Sequence, residues 1–157
     1  MTSPDFAFLT DLLGQPLGPT EPLLVDQARI DAFAECTLDR QWIHVDRERA
    51  ATGPFGGTIA HGYLTLSLLV TLVERLALFP AGYTVINYGI DKLRFPAPLP
   101  SGSEIALSAT MTKIEPKGEA KGEARALATL ACQVTTPATT VPVLVADVLY
   151  LFVADPA

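Results

Sequence analysis

HGYLTLSLLVTLVERLAL, residues 61–78, is the stretch on which the fold turns. Apolar side chains stand almost all round a helix drawn through it, which marks a helix buried on most sides. The apolar run from 62 to 79 is the nearest the chain comes to a membrane span. It carries Thr65, Ser67, Thr71, Glu74 and Arg75, so a helix inside a folded domain, not in a membrane, is expected. Pro80 and Gly82 stop it.

Downstream the period changes to two. Residues 83–95 predict a long strand broken near Gly89. Residues 104–114 alternate, with Ile105, Leu107, Ala109 and Met111 on one face, and residues 115–118 (EPKG) read as a turn. Residues 123–136 alternate again through Ala124, Ala126, Ala128, Leu130, Cys132 and Val134. Residues 141–153 form a last strand, apolar on both faces, which places it centrally or at an interface. One apolar helix followed by four long strands with short turns implies an α+β domain, an antiparallel sheet curled about that helix.

Upstream the chain is a series of short pieces. Residues 4–13 predict a short amphipathic helix ended by Gly14, an N-terminal helical extension over 1–14. Residues 15–24 hold three prolines and read as loop or edge strand. Asp26 caps a helix over 27–36, and Asp46 caps a turn of helix over 47–51. Residues 37–45 read as a connection and 52–57 (TGPFGG) as a loop. Both histidines, His44 and His61, fall between Asp39 and Leu69, with Asp39 five residues before His44. A titratable pair, a Gly/Pro loop and a buried helix N-terminus within thirty residues are the ingredients of a site.

At 157 residues the chain is read as one domain, 1–157, large enough to bury roughly 70% of its unfolded surface without a disulfide or metal. With 49% hydrophobic residues it lies on the apolar side of globular usage, surplus enough for a subunit interface or an acyl-binding pocket. A net charge of −6 argues against a nucleic-acid partner. Cys36 and Cys132, far apart and with no CxxC, fit free, buried thiols in a reducing cytoplasm. The N-terminus has no signal-peptide pattern, and no membrane association is expected. No His/Cys/Asp cluster has zinc spacing, and Gly56-Gly57 lacks the Lys-Ser/Thr of a phosphate loop. Lys92 and Arg94, on one side of a strand, are candidates to meet a phosphate.

The predicted arrangement is the shape of a hotdog fold, and three motifs together resemble the MaoC-like hydratase/dehydratase family, including its (R)-specific enoyl-CoA hydratases and the NodN group. They are D-R-Q-W-I-H from Asp39 to His44, I-A-H-G from Ile59 to Gly62, and NYGIDKLRFP from Asn87 to Pro96. The likeness runs from about Glu21 to Val153. Three positions depart from the pattern. Gln41-Trp42 stands where Asn-Pro is common, Val70 where some members have serine, and Asp91 where Asn is frequent.

The resemblance implies an (R)-specific hydratase/dehydratase of 2-enoyl and 3-hydroxyacyl thioesters in fatty-acyl or polyketide-type metabolism. The substrate is carried by coenzyme A or an acyl carrier protein. The resemblance also implies that no cofactor is needed beyond the coenzyme A of the substrate, and that the chain is a homodimer. Hydration needs a base for water, a proton for C2 and a donor for the thioester oxygen. Asp39 and His44 fit proton transfer, with Asp39 taking the water's proton and His44 serving C2, or the reverse. The N–H of Gly62, at the start of the buried helix, fits the oxyanion. His61 fits a structural, hydrogen-bonded role better than a catalytic one. Trp42, Phe55, Tyr63, Asn87 and Tyr88 are candidates to line the substrate. A hotdog thioesterase and a non-catalytic acyl-thioester binding protein are the alternatives.

Overall fold

A computed structural model describes residues 6–120 and 123–155. The elements in order are α1 (Ala7–Asp11), β1 (Pro16–Leu17), β2 (Leu23–Val25), α2 (Gln27–Thr37), α3 (Trp42–Val45), α4 (Arg47–Ala51), α5 (Gly62–Glu74), β3 (Tyr83–Arg94), β4 (Ser103–Ala120), β5 (Glu123–Thr135) and β6 (Leu144–Ala154). The strands pair antiparallel in the order β1-β4-β5-β6-β3, with β2 also on β4.

The inner face of this sheet closes on α5. Leu64, Leu68, Leu72 and Val73 of the helix share one core with Leu107, Ala128, Leu130, Val148 and Phe152 of the strands. Strict alternation puts Leu144, Ala146, Val148, Tyr150 and Phe152 of β6 into that core. Of the two places expected for this strand, central or at an interface, it takes the central one, between β5 and β3.

The helix is shorter than the 61–78 expected. It ends at Glu74, and Ala77 turns the chain with φ +55, so the apolar residues Leu76 and Leu78 pack from a turn. The helix is buried on most sides, as expected. Tyr63, Ser67, Val70, Thr71 and Glu74 form one exposed stripe.

The predicted turn at 115–118 is strand instead: β4 continues to Ala120 and pairs with β5 down to Glu123. Pro116 is tolerated because β4 is an edge there. Its pairings with β1 and β2 lie at Ser103–Thr110, and a register shift between Pro116 and Glu119 takes up the missing donor. Residues 121 and 122 lie outside the described residues, as do Pro4 and Asp5 of the predicted first helix. The expected break in β3 is a register shift between Asn87 and Gly89. Asp26 and Asp46 cap as predicted, accepting from the N–H of Arg29 at 2.9 Å and of Arg49 at 3.0 Å. Cys132 is buried, its thiol pushed up to about 12 by desolvation. Cys36, expected buried, is exposed, because the buried face of α2 is carried by Ile30 and Ala34. Among the described residues no helix is long and apolar enough to cross a membrane.

Candidate active site

Three short segments converge at the start of α5. The first is α2, closed by Leu38 in the left-handed conformation (φ 63), which swings the chain into Asp39. The second is α3. Residues 42–45, read from sequence as a connection, form one helical turn that carries His44. The third is the run into α5, held as a narrow ladder. Ile59 N–H donates to Ile43 O (3.0 Å), Ala60 N–H to Leu99 O (2.8 Å) and Ser101 N–H to Thr58 O (2.9 Å).

His44 is buried, and its ring is fixed at two points. Nδ1 donates to the carbonyl of Ile59 at 2.7 Å, which leaves the lone pair on Nε2. The ring also stacks on His61, centroids 3.8 Å apart and planes 25° apart. Burial holds the His44 imidazole below the ordinary histidine value. The Ile59 bond opposes that shift, His61 adds to it and the Asp39 carboxylate opposes it. His44 is therefore neutral at pH 7, with an acceptor at Nε2. Asp39 is exposed, and ligand atoms of Asp39, His44 and His61 all lie within 4.8 Å of one another.

His61 ties the segments together. Its Nε2 donates to the backbone carbonyl of Asp39 at 2.9 Å, its other face meets Phe33 with centroids 5.1 Å apart, and its residue is the N-cap of α5. This is the structural role expected of it. In this trio His44 Nδ1 and His61 Nε2 are taken by backbone carbonyls, which leaves His44 Nε2, His61 Nδ1 and the Asp39 carboxylate.

No side chain caps α5, and its first i→i−4 bond is Thr65 N–H to His61 O, so the N–H groups of Gly62, Tyr63 and Leu64 precede the ladder. The Phe95 ring lies over Gly62 so closely that a Cβ there would come within 2.9 Å of Phe95 Cδ2.

The predicted lining residues separate. Asn87 borders an apolar cavity of about 270 Å³ between α5 and β3, with Leu66, Ser67, Val70, Ile90 and Tyr150. Trp42 packs against Gly53, where a Cβ would be 3.0 Å from its ring, and the Arg49 guanidinium sits 4.3 Å over it. Tyr63 is exposed and meets Phe95 edge-on, centroids 6.2 Å apart. Phe55, in the glycine-rich loop, and Tyr88, at the β3 irregularity, are exposed. A larger groove of about 740 Å³ lies on the outer sheet face, where Lys92 and Arg94 stand and Lys92 pairs with Asp147 at 3.0 Å. Asp39, His44 and Gly62 line neither this groove nor the smaller cavity along α5.

Sequence reasoning missed Gln27. Its amide donates to Asp31 Oδ1 (2.8 Å) and to the carbonyl of His44 (2.7 Å) and accepts from Thr58 Oγ1 (2.5 Å). No local motif signals partners 17 and 31 residues away.

Comparison with known proteins places the chain in a family. The 3-hydroxyacyl-thioester dehydratase Z of Mycobacterium tuberculosis is 38% identical over 148 residues, covering 94% of this chain and 95% of that protein. The MaoC-like dehydratase from Rhodospirillum rubrum superposes with a TM-score of 0.71 at 27% identity, over 96% of this chain and 99% of that one. The (R)-hydratase from A. caviae involved in PHA biosynthesis shares the fold, with a TM-score of 0.69 at 23% identity over 92% and 96% of the two chains. The family model described as MaoC like domain matches residues 9–131. The chain belongs to the MaoC-like dehydratase family, with the hotdog fold of that family.

Proposed function

We propose that this protein reversibly adds water to 2-enoyl thioesters, giving (3R)-hydroxyacyl thioesters, in fatty-acyl metabolism of the cytoplasm. The observation that carries the reading is the meeting of Asp39 and His44 beside the uncapped start of α5. In hydration the His44 Nε2 lone pair takes a proton from water as oxygen bonds to C3, and Asp39 holds the water's other hydrogen and stabilises the imidazolium. This reverses the proton-taking role that the sequence reading gave Asp39. The thioester oxygen, now an enolate, accepts from Gly62 N–H at the positive end of the helix dipole. His44 then returns the proton to C2, and the pair ends as it began. No cofactor enters this cycle; coenzyme A or an acyl carrier protein serves as the carrier of the acyl group. The cavity bordered by Asn87 and Val70 runs along α5 and suits the acyl chain. Trp42 supports the site by holding the loop at Gly53, while Phe55, Tyr63 and Tyr88 stand where incoming substrate or a second subunit covers them.

The test is crotonyl-CoA with the wild-type protein, followed by enoyl absorbance and by chiral analysis of the product. Loss of absorbance with (3R)-hydroxybutyryl-CoA formed is expected. Thiol release without hydration marks a thioesterase, and tight acyl-CoA binding without turnover marks a non-catalytic binder.

The free edge of the sheet supports a homodimer. β3 ends the strand order, and Ile86, Tyr88 and Ile90 on it are exposed, as are Tyr63 and Val70 on the open stripe of α5. Tyr88→Lys is expected to raise the dimer dissociation constant at least tenfold in sedimentation equilibrium. A monomeric wild type overturns the dimer.

A further inference from the structure

The grip on His44 extends beyond its ring. Its main-chain carbonyl accepts from Gln27, and the same amide accepts from Thr58, the residue before Ile59, whose carbonyl holds His44 Nδ1. One side chain at the first position of α2 thus spans the two peptides that locate the imidazole. The amide's orientation is dictated by its partners. The Asp31 carboxylate and the His44 carbonyl only accept, so both take hydrogens from Nε2, and the Thr58 hydroxyl must supply Oε1. Both amide hydrogens are used, and a carboxylate of the same shape could supply neither.

We infer that Gln27 is a positioning residue of the proton-transfer step, setting the place and tautomer of His44 by bridging the His44 peptide to the Thr58–Ile59 peptide. Gln27 is too far along the chain to be a neighbour of the dyad by sequence, and nothing in the reaction requires it to touch substrate. Its effect is on where Nε2 stands. A reacting group displaced by about 1 Å loses on the order of 10²-fold in rate. The inference rests on the hydratase reading, so its test includes a measurement that needs no turnover.

The primary variant is Gln27→Glu, which keeps the shape and replaces two donors by acceptors facing Asp31 and a carbonyl. Kinetics with crotonyl-CoA are expected to show kcat lowered by about 10- to 100-fold, with KM within about threefold. In parallel, nitrogen-15 spectra of the two imidazoles across pH are expected to show wild-type His44 as the Nδ1–H tautomer and the variant as a mixture with a displaced titration midpoint. Wild-type kcat, or an unchanged His44 tautomer and midpoint alongside a lowered Tm, overturns the inference and leaves Gln27 a structural residue. Should Gln27→Glu not fold, Thr58→Val decides, since it keeps the side-chain shape and removes only the hydroxyl arm. A kcat loss of at least about threefold with a mixed tautomer supports the bridge; wild-type values for both overturn it. If the wild type does not hydrate any enoyl-CoA, the functional reading fails while the spectra still decide whether Gln27 sets His44.

Discussion

His44→Gln lowers kcat for crotonyl-CoA hydration by about 10²- to 10⁴-fold, the range general acid–base groups supply, with KM within a few fold. Gln can donate from its amide to the Ile59 carbonyl in place of Nδ1 but has no lone pair that takes and returns a proton near neutral pH. Asp39→Asn is expected to fall in the same range, because an amide neither holds the water as a carboxylate does nor stabilises an imidazolium. The double variant is expected to be little worse than the poorer single one, since the two act on one proton. The pH profile adds a sign. Burial holds His44 below its ordinary value, so kcat/KM rises from acid with a midpoint under about 6.5 and is level through pH 7. The Asp39 charge opposes that depression. In Asp39→Asn the residual activity therefore has its acid limb at lower pH than wild type. Steady-state rates from pH 4.5 to 8, with circular dichroism to confirm folding, check all of this. If either single variant retains more than a tenth of wild-type kcat, or the limb moves upward, the assignment fails.

The same depression has a consequence for stability. His44 folds more favourably neutral than charged, so the unfolded chain binds more protons between the two midpoints. Stability attributable to His44 is full above the unfolded value near 6.5 and is lost as pH falls toward the lower, folded one.

How far the sequence reveals this molecule depends on the distance over which each contact acts. Period-two alternation located β4 and β5 because one face of each strand is committed to a single core, and an apolar run on both faces marked β6. Asp26 and Asp46 announced α2 and α4 because a cap and its N–H are three residues apart. Asp39 and His44 were legible as a pair because they are close in sequence as well as in space. The misreadings have the opposite character. The composition of 75–78 stays apolar while Ala77 adopts φ +55 and ends the helix run. Residues 115–118 have turn composition, yet an unpartnered edge of β4 tolerates Pro116 in a strand. The His44–His61 stack and the Gln27 bridge join residues 17 and 31 apart, which no local pattern encodes. Trp42 was a lining candidate by residue type alone, and its neighbours Arg49 and Gly53 are set by the local fold.

Gly62→Ala is the sharper test of the helix start, because it leaves the N–H in place and changes only what may approach it. The added Cβ would meet the Phe95 ring at 2.9–3.1 Å, closer than carbon atoms pack. Phe95 is exposed, so its ring can swing aside, and a swing over the N–H groups that precede the helix ladder is the one that matters for an oxyanion. A thioester oxygen then loses its approach even though the donor survives. Removing a comparable oxyanion contact costs about 10²- to 10³-fold, and a loss of at least tenfold in kcat is expected for Gly62→Ala. Folding is expected to be preserved, since alanine is the better helix former by about 1 kcal/mol. The contribution of the ring is separable. Phe95→Leu combined with Gly62→Ala relieves the contact, and it is expected to recover most of the loss if the ring is the obstacle. If the double variant is as slow as Gly62→Ala, the methyl itself blocks the oxygen. If Gly62→Ala alone keeps wild-type kcat, no substrate oxygen comes to this N–H. The pair of variants thereby tests whether bare backbone at the head of α5, and not only the dyad beside it, is part of the chemistry.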